Sequence, residues 1–353
     1  MSLTPGVSWA RRPRACAGVL THNKEQTMAP DVSRREFVKA GVAGAAVLAL
    51  SPSLGAAPPM PERPFGRTGH NVRLFSLGGQ ATLEKEGTRD VSVAIINRAI
   101  DLGVNYLDTA AAYGRGISQI YFGEVMATRR KEVFLATKTR SRDRDGALKD
   151  LEQSLKSLQT DHLDLWQNHN VMRDEEVEQM LGKGGALEAM LQARDQKMIR
   201  FIGITGHFDP EVLTKAVQRY EFDTILMALN LADTHRLSFI QTLLPLASSK
   251  KMGIVGMKIP ARGRVFKAGG ITSMKDAMSY VLTLPVSTVI VGCDTVQQLE
   301  ENIQIANTFT PMAAAERTRL EGLTASYEGD AAFFKKGAAG STRSGDDHVN
   351  WED

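Results

Sequence analysis

Four side chains in the first half of the chain could together move a proton to or from a carbonyl oxygen: Asp108, Tyr113, Lys138 and His169. A free phenol, with a pKa of about 10, is a poor acid and a scarce base at neutral pH. An ammonium beside it stabilises the phenolate and is expected to lower that pKa toward the physiological range. An aspartate can hold the ammonium by a charge-assisted hydrogen bond and keep it charged in a partly buried site. A neutral histidine can orient the substrate oxygen and stabilise charge developing on it. Each residue also has a plainer reading. Asp108 and Lys138 alone could be a structural ion pair, and Tyr113 a packed loop aromatic. The argument for chemistry is that all four end or follow successive apolar runs.

Those runs are the elements that must position the four groups. They are VRLFSLGG (72–79), NYLDTA (105–110), VFLATK (133–138), LDLWQNH (163–169), IRFIGITG (199–206), TILMALN (224–230), GIVGMKI (253–259) and STVIVG (287–292). Each is short, partly β-branched or aromatic, and does not alternate in polarity, as strands buried on both faces do. Helical periods lie between them. Leu148, Leu151, Leu155 and Leu158 form one stripe, and similar patterns occupy 90–102, 117–129, 175–195, 209–220, 237–250, 271–284 and 296–306. The alternation predicts an α/β fold, a (β/α)8 TIM barrel in one domain over 58–353. A doubly wound open sheet would carry GxGxxG after its first strand, and GGQATLEKEG (78–87) supplies none. In such a barrel the site sits at the C-terminal strand ends, where the four groups fall.

Composition narrows the class. A chain of 353 residues with 42% hydrophobic and 24% charged residues can bury a core, which excludes wholesale disorder. Two cysteines far apart, Cys16 and Cys293, cannot build a zinc ribbon, an iron–sulfur site or a disulfide framework. A net charge of +3 gives no field that would gather nucleic acid.

With those motifs in order, the sequence resembles the aldo-keto reductase family. GVNYLDTAAAYGRGISQIYFG (103–123) is similar to the family's motif around its aspartate and tyrosine, FLATKTR carries its lysine, and LEQSLKSLQTDHLDLWQNH (151–169) ends in its histidine. The likeness runs from Phe65 to about Ala306. It implies NAD(P)H-dependent reduction of an aldehyde or ketone, or oxidation of the alcohol. Tyr113 would be the general acid/base, Lys138 and Asp108 its tuning pair, and His169 the carbonyl-orienting group.

The resemblance also implies cofactor contacts. Thr205 stands where a serine often contacts the nicotinamide amide, with Gly206 where asparagine is usual, and Asn230 ends the sixth strand as the family would have it. Leu229 replaces a stacking aromatic and Leu226 a glutamine. MKIPARGR (257–264) follows the seventh strand with Lys258, Arg262 and Arg264. After the eighth, Thr295 and Gln298 have capping-box spacing, so their helix is expected to offer free N–H groups to a phosphate. Glu301 and Asn302 match the family's adenine-side pair. Gly292 and Gln298 stand where basic residues often clamp a 2′-phosphate, a role Arg262 or Arg264 could take. NADP(H) is favoured and NAD(H) remains possible.

Other residues carry weaker expectations. His162, at the start of the fourth strand, reads as a surface histidine, and Cys293 as a small buried residue. His207 is either pocket lining or an exposed loop residue, and Trp166 falls near the mouth by position. The segment GDAAFFKKGAAGSTRSGDDHVNWED is either a tail or a loop folding over the mouth. Two rivals remain. His169, His207 and Asp294 could belong to a metal-dependent barrel hydrolase, although no HExxH occurs. The same barrel could also be a non-catalytic nucleotide-binding subunit.

Residues 1–57 read as an extension outside the barrel. Ser33-Arg34-Arg35-Glu36-Phe37-Val38-Lys39 resembles a twin-arginine export signal, which moves folded proteins. The apolar run Ala40–Leu50 is too short to span a bilayer, and SPSLGAA offers cleavage after Ala56 or Ala57. A short buried or membrane-associated helix is the alternative. The expectation is a periplasmic or otherwise exported protein whose partners are the export machinery and a small carbonyl or alcohol. The basic, aperiodic 1–27 stretch suggests translation from Met28.

Overall fold

Parallel strands cannot be joined by tight turns, and the helical stripes between the apolar runs supply the crossovers. The computed structural model describes residues 59–338, so the export segment, and Trp351 at the end of the tail, lie outside the described residues. A short antiparallel hairpin comes first, β1 (Glu62–Pro64) against β2 (Asn71–Arg73). Eight parallel strands then close a barrel in chain order: β3 (Phe75–Gly78), β4 (Tyr106–Asp108), β5 (Phe134–Thr139), β6 (Leu163–Asn168), β7 (Ile199–Gly206), β8 (Thr224–Ala228), β9 (Gly253–Met257) and β10 (Thr288–Val291). This is the predicted (β/α)8 barrel.

The outer layer holds α1 (Arg89–Asp101), α2 (Ile117–Arg129), α3 (Arg144–Ser157), α4 (Asp174–Leu181), α5 (Ala186–Asp195), α6 (Pro210–Arg219), α7 (Phe239–Ser249), α8 (Met274–Thr283) and α9 (Val296–Asn307). The single period expected over 175–195 is two helices. Gly182, Gly184 and Gly185 break it: Gly184 has φ +73°, and a Cβ on Gly185 would sit 2.3 Å from the Gln179 carbonyl oxygen. Asp143, Asp209, Ser238, Ser273 and Thr295 cap α3, α6, α7, α8 and α9, each accepting from a first-turn N–H.

Strand parity divides the core. Tyr106, Phe134, Ala136, Leu165, Leu226, Val255 and Ile290 cluster inside the barrel, while Leu107, Leu135, Trp166, Ile202, Ile225, Ile254 and Val289 pack with the helices. Phe65, between the hairpin strands, plugs the inner cluster edge-on against Tyr106 and Phe134, with ring centroids 5.4 Å away in both cases. Parity also corrects the position expected for Trp166. It alternates with Gln167, so it is fully buried against the helices and away from the mouth.

Residues 331–335 roof the barrel mouth. After α10 (Ala314–Thr324), the backbone carbonyl of Ala331 accepts from Asn230 Nδ2 at 3.1 Å, and Phe334 meets the His207 ring edge-on at 5.5 Å. Lys335 is fully buried. Its ammonium donates to Asp233 Oδ1 at 2.5 Å, to the Asp233 carbonyl at 3.1 Å and to the Arg236 carbonyl at 2.8 Å. Of the two readings of the tail, its described part is the loop over the mouth. Removing one partner of a buried pair strands the other charge. Lys335→Ala should therefore destabilise the barrel by about 3–5 kcal/mol in chemical denaturation. A loss below about 1 kcal/mol, as for a surface pair, would mean the tail detaches without cost.

Candidate active site

Asp108, Lys138 and Gln167 occupy inward positions near the C-terminal ends of β4, β5 and β6, and the register sets Lys138 beside Gln167. Tyr113 enters from the loop after β4. Gly114 pins that loop with φ +54°: a Cβ there would lie 2.0 Å from the Glu84 carbonyl oxygen, so only glycine fits. The Lys138 ammonium is fully buried and places its three donors on Asp108 Oδ1, the Thr109 carbonyl (2.8 Å) and the Tyr113 hydroxyl (3.1 Å). Asp108 is held on its other oxygen by Gln167 Nε2 at 3.0 Å and the Tyr106 hydroxyl at 3.3 Å.

His169 follows β6. Its N–H donates to the Thr139 carbonyl at 2.8 Å, its carbonyl accepts from Arg142, and its ring stands edge-on to Tyr113 with centroids 5.6 Å apart. Burial first, then the charges of Lys138 and Arg140, pushes the imidazole pKa well below its usual value, so the ring is neutral. The expected lowering of the Tyr113 pKa is overturned. Burial raises it more than Lys138 lowers it, and Asp108 adds to the rise, so Tyr113 is a protonated phenol at neutral pH. Burial works against the Lys138 ammonium, but Asp108 and Tyr113 outweigh it and leave its pKa raised.

Two cavities meet at this group. A cleft of about 650 Å³ runs from the ends of β3 and β10 to α9; Lys258, Arg262, Gly292, Gln298, Glu301 and Asn302 line it, as does Asp108 beside Tyr113. A small pocket of about 40 Å³ opens on the other side of Tyr113, lined by Arg140, His169, Asn170, Thr205, His207 and Leu226. His207 is thus pocket lining, while half-exposed His162 faces solvent beside Asp161.

Thr205, Asn230, Arg264 and Thr295, among the expected cofactor contacts, do not line the large cleft. Thr205 lines the small pocket and accepts from the Asn170 N–H at 2.9 Å. Asn230 lines neither cavity, because its amide is spent on the carbonyls of Lys258 and Ala331. Arg264 lies over the Phe333 ring at 4.2 Å and not in the cleft. Thr295 takes the Gln298 N–H at 3.1 Å, and Gln298 Oε1 turns back to the Asp294 N–H at 2.7 Å. Neither of those donors is free for a phosphate. Leu229 is buried over Gly256 in the helical layer, since the strand ends before it. Met257, one strand across, instead lines both cavities. Gly206 lacks room for an asparagine, with a Cβ only 2.9 Å from the Val171 carbonyl.

Sequence reasoning missed Arg140, Gln167, Tyr106 and Met257. Counting in twos from Asp108, Lys138 and His169 would have placed Tyr106 and Gln167 on the inner face. Asp294, one of the residues considered for a metal, accepts from Thr82 and Lys85 beside the large cleft, whereas His169 and His207 line the small pocket. Among the described residues no three His, Cys, Asp or Glu side chains gather as metal ligands, and no helix is long and apolar enough to cross a membrane.

The profile of the Aldo/keto reductase family matches residues 75–276, the span that holds all four groups. The chain belongs to the aldo/keto reductase family. It is similar to an uncharacterized oxidoreductase, YqkF, of Bacillus subtilis, 28% identical over 70% of this chain and 92% of that protein. It also resembles L-galactose dehydrogenase of Arabidopsis thaliana, 24% identical over 73% of this chain and 92% of that enzyme. In structure it follows a holo-form aldo-keto reductase from Bacillus halodurans, with TM-score 0.63 and 24% identity over 75% of this chain and 96% of that one. An aldo-keto reductase from Klebsiella pneumoniae in complex with NADPH gives TM-score 0.62 at 19% identity, over 74% and 94% of the two chains. The protein is an oxidoreductase of this family.

The balance of burial against Lys138 can be measured directly. Ultraviolet difference titration of the wild type against Tyr113→Phe should show no Tyr113 phenolate below pH of about 10. A phenolate signal at lower pH would mean that Lys138 prevails over burial.

Proposed function

We propose that this oxidoreductase reduces an aldehyde or ketone to an alcohol, or runs the reverse oxidation, with Tyr113 as general acid/base and NADP(H) or NAD(H) as cofactor. The observation that carries the reading is the Lys138 ammonium, bonded at once to Asp108 and to the Tyr113 hydroxyl at the junction of the two cavities. The larger cleft falls in the size range of about 300–1,000 Å³ usual for ligand and cofactor sites. The ammonium of Lys258, partly buried with its pKa brought down to about 8 by burial and by Arg262, makes no hydrogen bond or ion pair among the described residues. A cation of that kind fits a pyrophosphate. Gly78 and Gly292 add no side chain to their part of the cleft wall.

When bound, reduced nicotinamide supplies the hydride that reduction requires. Tyr113, neutral because it is buried, donates its proton to the substrate oxygen, and Lys138 stabilises the phenolate left behind. Asp108 holds Lys138 in place, itself fixed by Gln167 and Tyr106. The uncharged His169 ring orients the oxygen and cannot compete as a stronger acid. In the oxidation direction the phenolate takes the proton back. On the 2′-phosphate, the turn of Arg264 to Phe333 leaves Arg262 as the loop's contribution, opposite a wall bearing Asp294 and Glu301. Discrimination between NADPH and NADH should accordingly be small.

Tyr113→Phe should lower kcat/KM for carbonyl reduction by about 10²–10⁴-fold, the usual share of general acid catalysis, while cofactor fluorescence titration stays near wild type. The same titration should give dissociation constants for NADPH and NADH within about tenfold of each other, an energy gap of roughly 1.4 kcal/mol. Cofactor binding without turnover in either protein would favour the non-catalytic subunit.

The arginine pair at 34–35 and the short apolar run after it support export of the folded barrel, with cofactor loaded beforehand and recycled in place between two substrates. Cell fractionation should then recover the mature chain outside the cytoplasm with nucleotide bound, and Arg34→Lys with Arg35→Lys should retain it inside. Wild-type protein found only in the cytoplasm would end that proposal.

A further inference from the structure

Three arginines alternate along the segment after β5, and two of them are held by carboxylate and carbonyl or amide partners. Arg142 donates to the His169 carbonyl at 2.8 Å and to Glu176 at 3.0 Å. Arg144 pairs with Asp145 at 2.8 Å and with Gln192 at 2.7 Å. Arg140 is different. It lies two residues beyond Lys138, is exposed, and makes no hydrogen bond or ion pair among the described residues. It lines the small pocket beside His169, Asn170 and His207 but not the large cleft.

No carboxylate lines that pocket. The acids nearest Arg140 in sequence are spent elsewhere, Asp143 on the Gly146 N–H and Asp145 on Arg144. Asp150 accepts from the hydroxyls of Thr139 and Ser141, and Glu176 from Arg142 and the N–H groups of Met172 and Arg173. Lys258 and Arg262 also border the pocket, but they face the large cleft too, where the cofactor's phosphates would draw on their charge. Arg140 is thus the cation confined to the substrate side.

We propose that Arg140 anchors the substrate's own anionic group, so that the physiological substrates are aldehydes or ketones carrying a carboxylate. This inference rests on the carbonyl-reductase reading and deepens it. A guanidinium meets a carboxylate with two parallel N–H donors, which orients the substrate as well as holding it. With the carboxylate on Arg140 and the carbonyl oxygen between Tyr113 and His169, the reacting carbon is fixed at both ends. The neutrality of the two histidines agrees with a pocket whose surplus charge is positive, since Arg140 depresses the pKa of both rings after burial has done so.

The test compares succinic semialdehyde with its methyl ester, which differ at the far end by one charge. Wild type should show kcat/KM for the acid about tenfold or more above the ester, the scale of one charge-assisted pairing. In Arg140→Gln the acid-to-ester ratio should fall to about one through a higher KM for the acid, and Arg140→Lys should restore part of it. Succinate, as an unreactive carboxylate, should bind the wild-type complex with oxidised cofactor, by fluorescence titration, and bind Arg140→Gln at least about tenfold more weakly. An ester reduced as well as the acid, or succinate binding indifferent to Arg140, overturns the inference and leaves the reductase reading intact. Succinate binding that needs Arg140, with no reduction of either aldehyde, retains the anion site and sinks the reductase reading.

Discussion

An ammonium taken wholly out of water must be surrounded by acceptors, and the Lys138 Nζ meets that demand with a carboxylate, a carbonyl and a phenol. The rest of the mouth follows from this. Asp108 can serve because Gln167 and Tyr106 occupy its second oxygen. Tyr113 can serve because Gly114 lets its loop fold down against the Glu84 backbone. Three strands and one loop are committed to neutralising one charge, and the phenol that completes the set is also the group exposed to both cavities. Stability and chemistry draw on the same bonds here.

The net effect on Tyr113 shows which force prevails. A neighbouring ammonium stabilises phenolate, but the same burial that makes Lys138 need partners raises the cost of a second charge beside Asp108. Burial prevails, and the resting phenol keeps its proton. That state suits donation to a carbonyl. His169, surrounded by cations and equally dry, is held neutral by the same physics.

Charge is also distributed unevenly around the two cavities. The wall formed by α9 and the turn before it carries Asp294 and Glu301, the loop after β9 carries Lys258 and Arg262, and the small pocket adds Arg140 with no acid opposite. The returning tail covers this mouth through Phe334 on His207 and the buried Lys335–Asp233 pair. Loops and tail, not the barrel wall, shape what can enter.

The amino-acid sequence by itself determined the barrel and the inner tetrad. Apolar runs at regular intervals with helical stripes between them admit few other topologies, and period two carries Asp108, Lys138 and Gln167 to one face. The break between α4 and α5 was also written there, in Gly182, Gly184 and Gly185, though the apolar stripe running across them hid it. Contacts set by loops were decided only in three dimensions. Arg264 turned onto the Phe333 ring, Asn230 was claimed by a carbonyl from the tail, and Leu229 fell past the end of its strand into the helical layer. The sign of the Tyr113 shift belongs with these. Residue type states which charge is near, but only the packed structure sets how much water is lost, and that loss outweighed the charge.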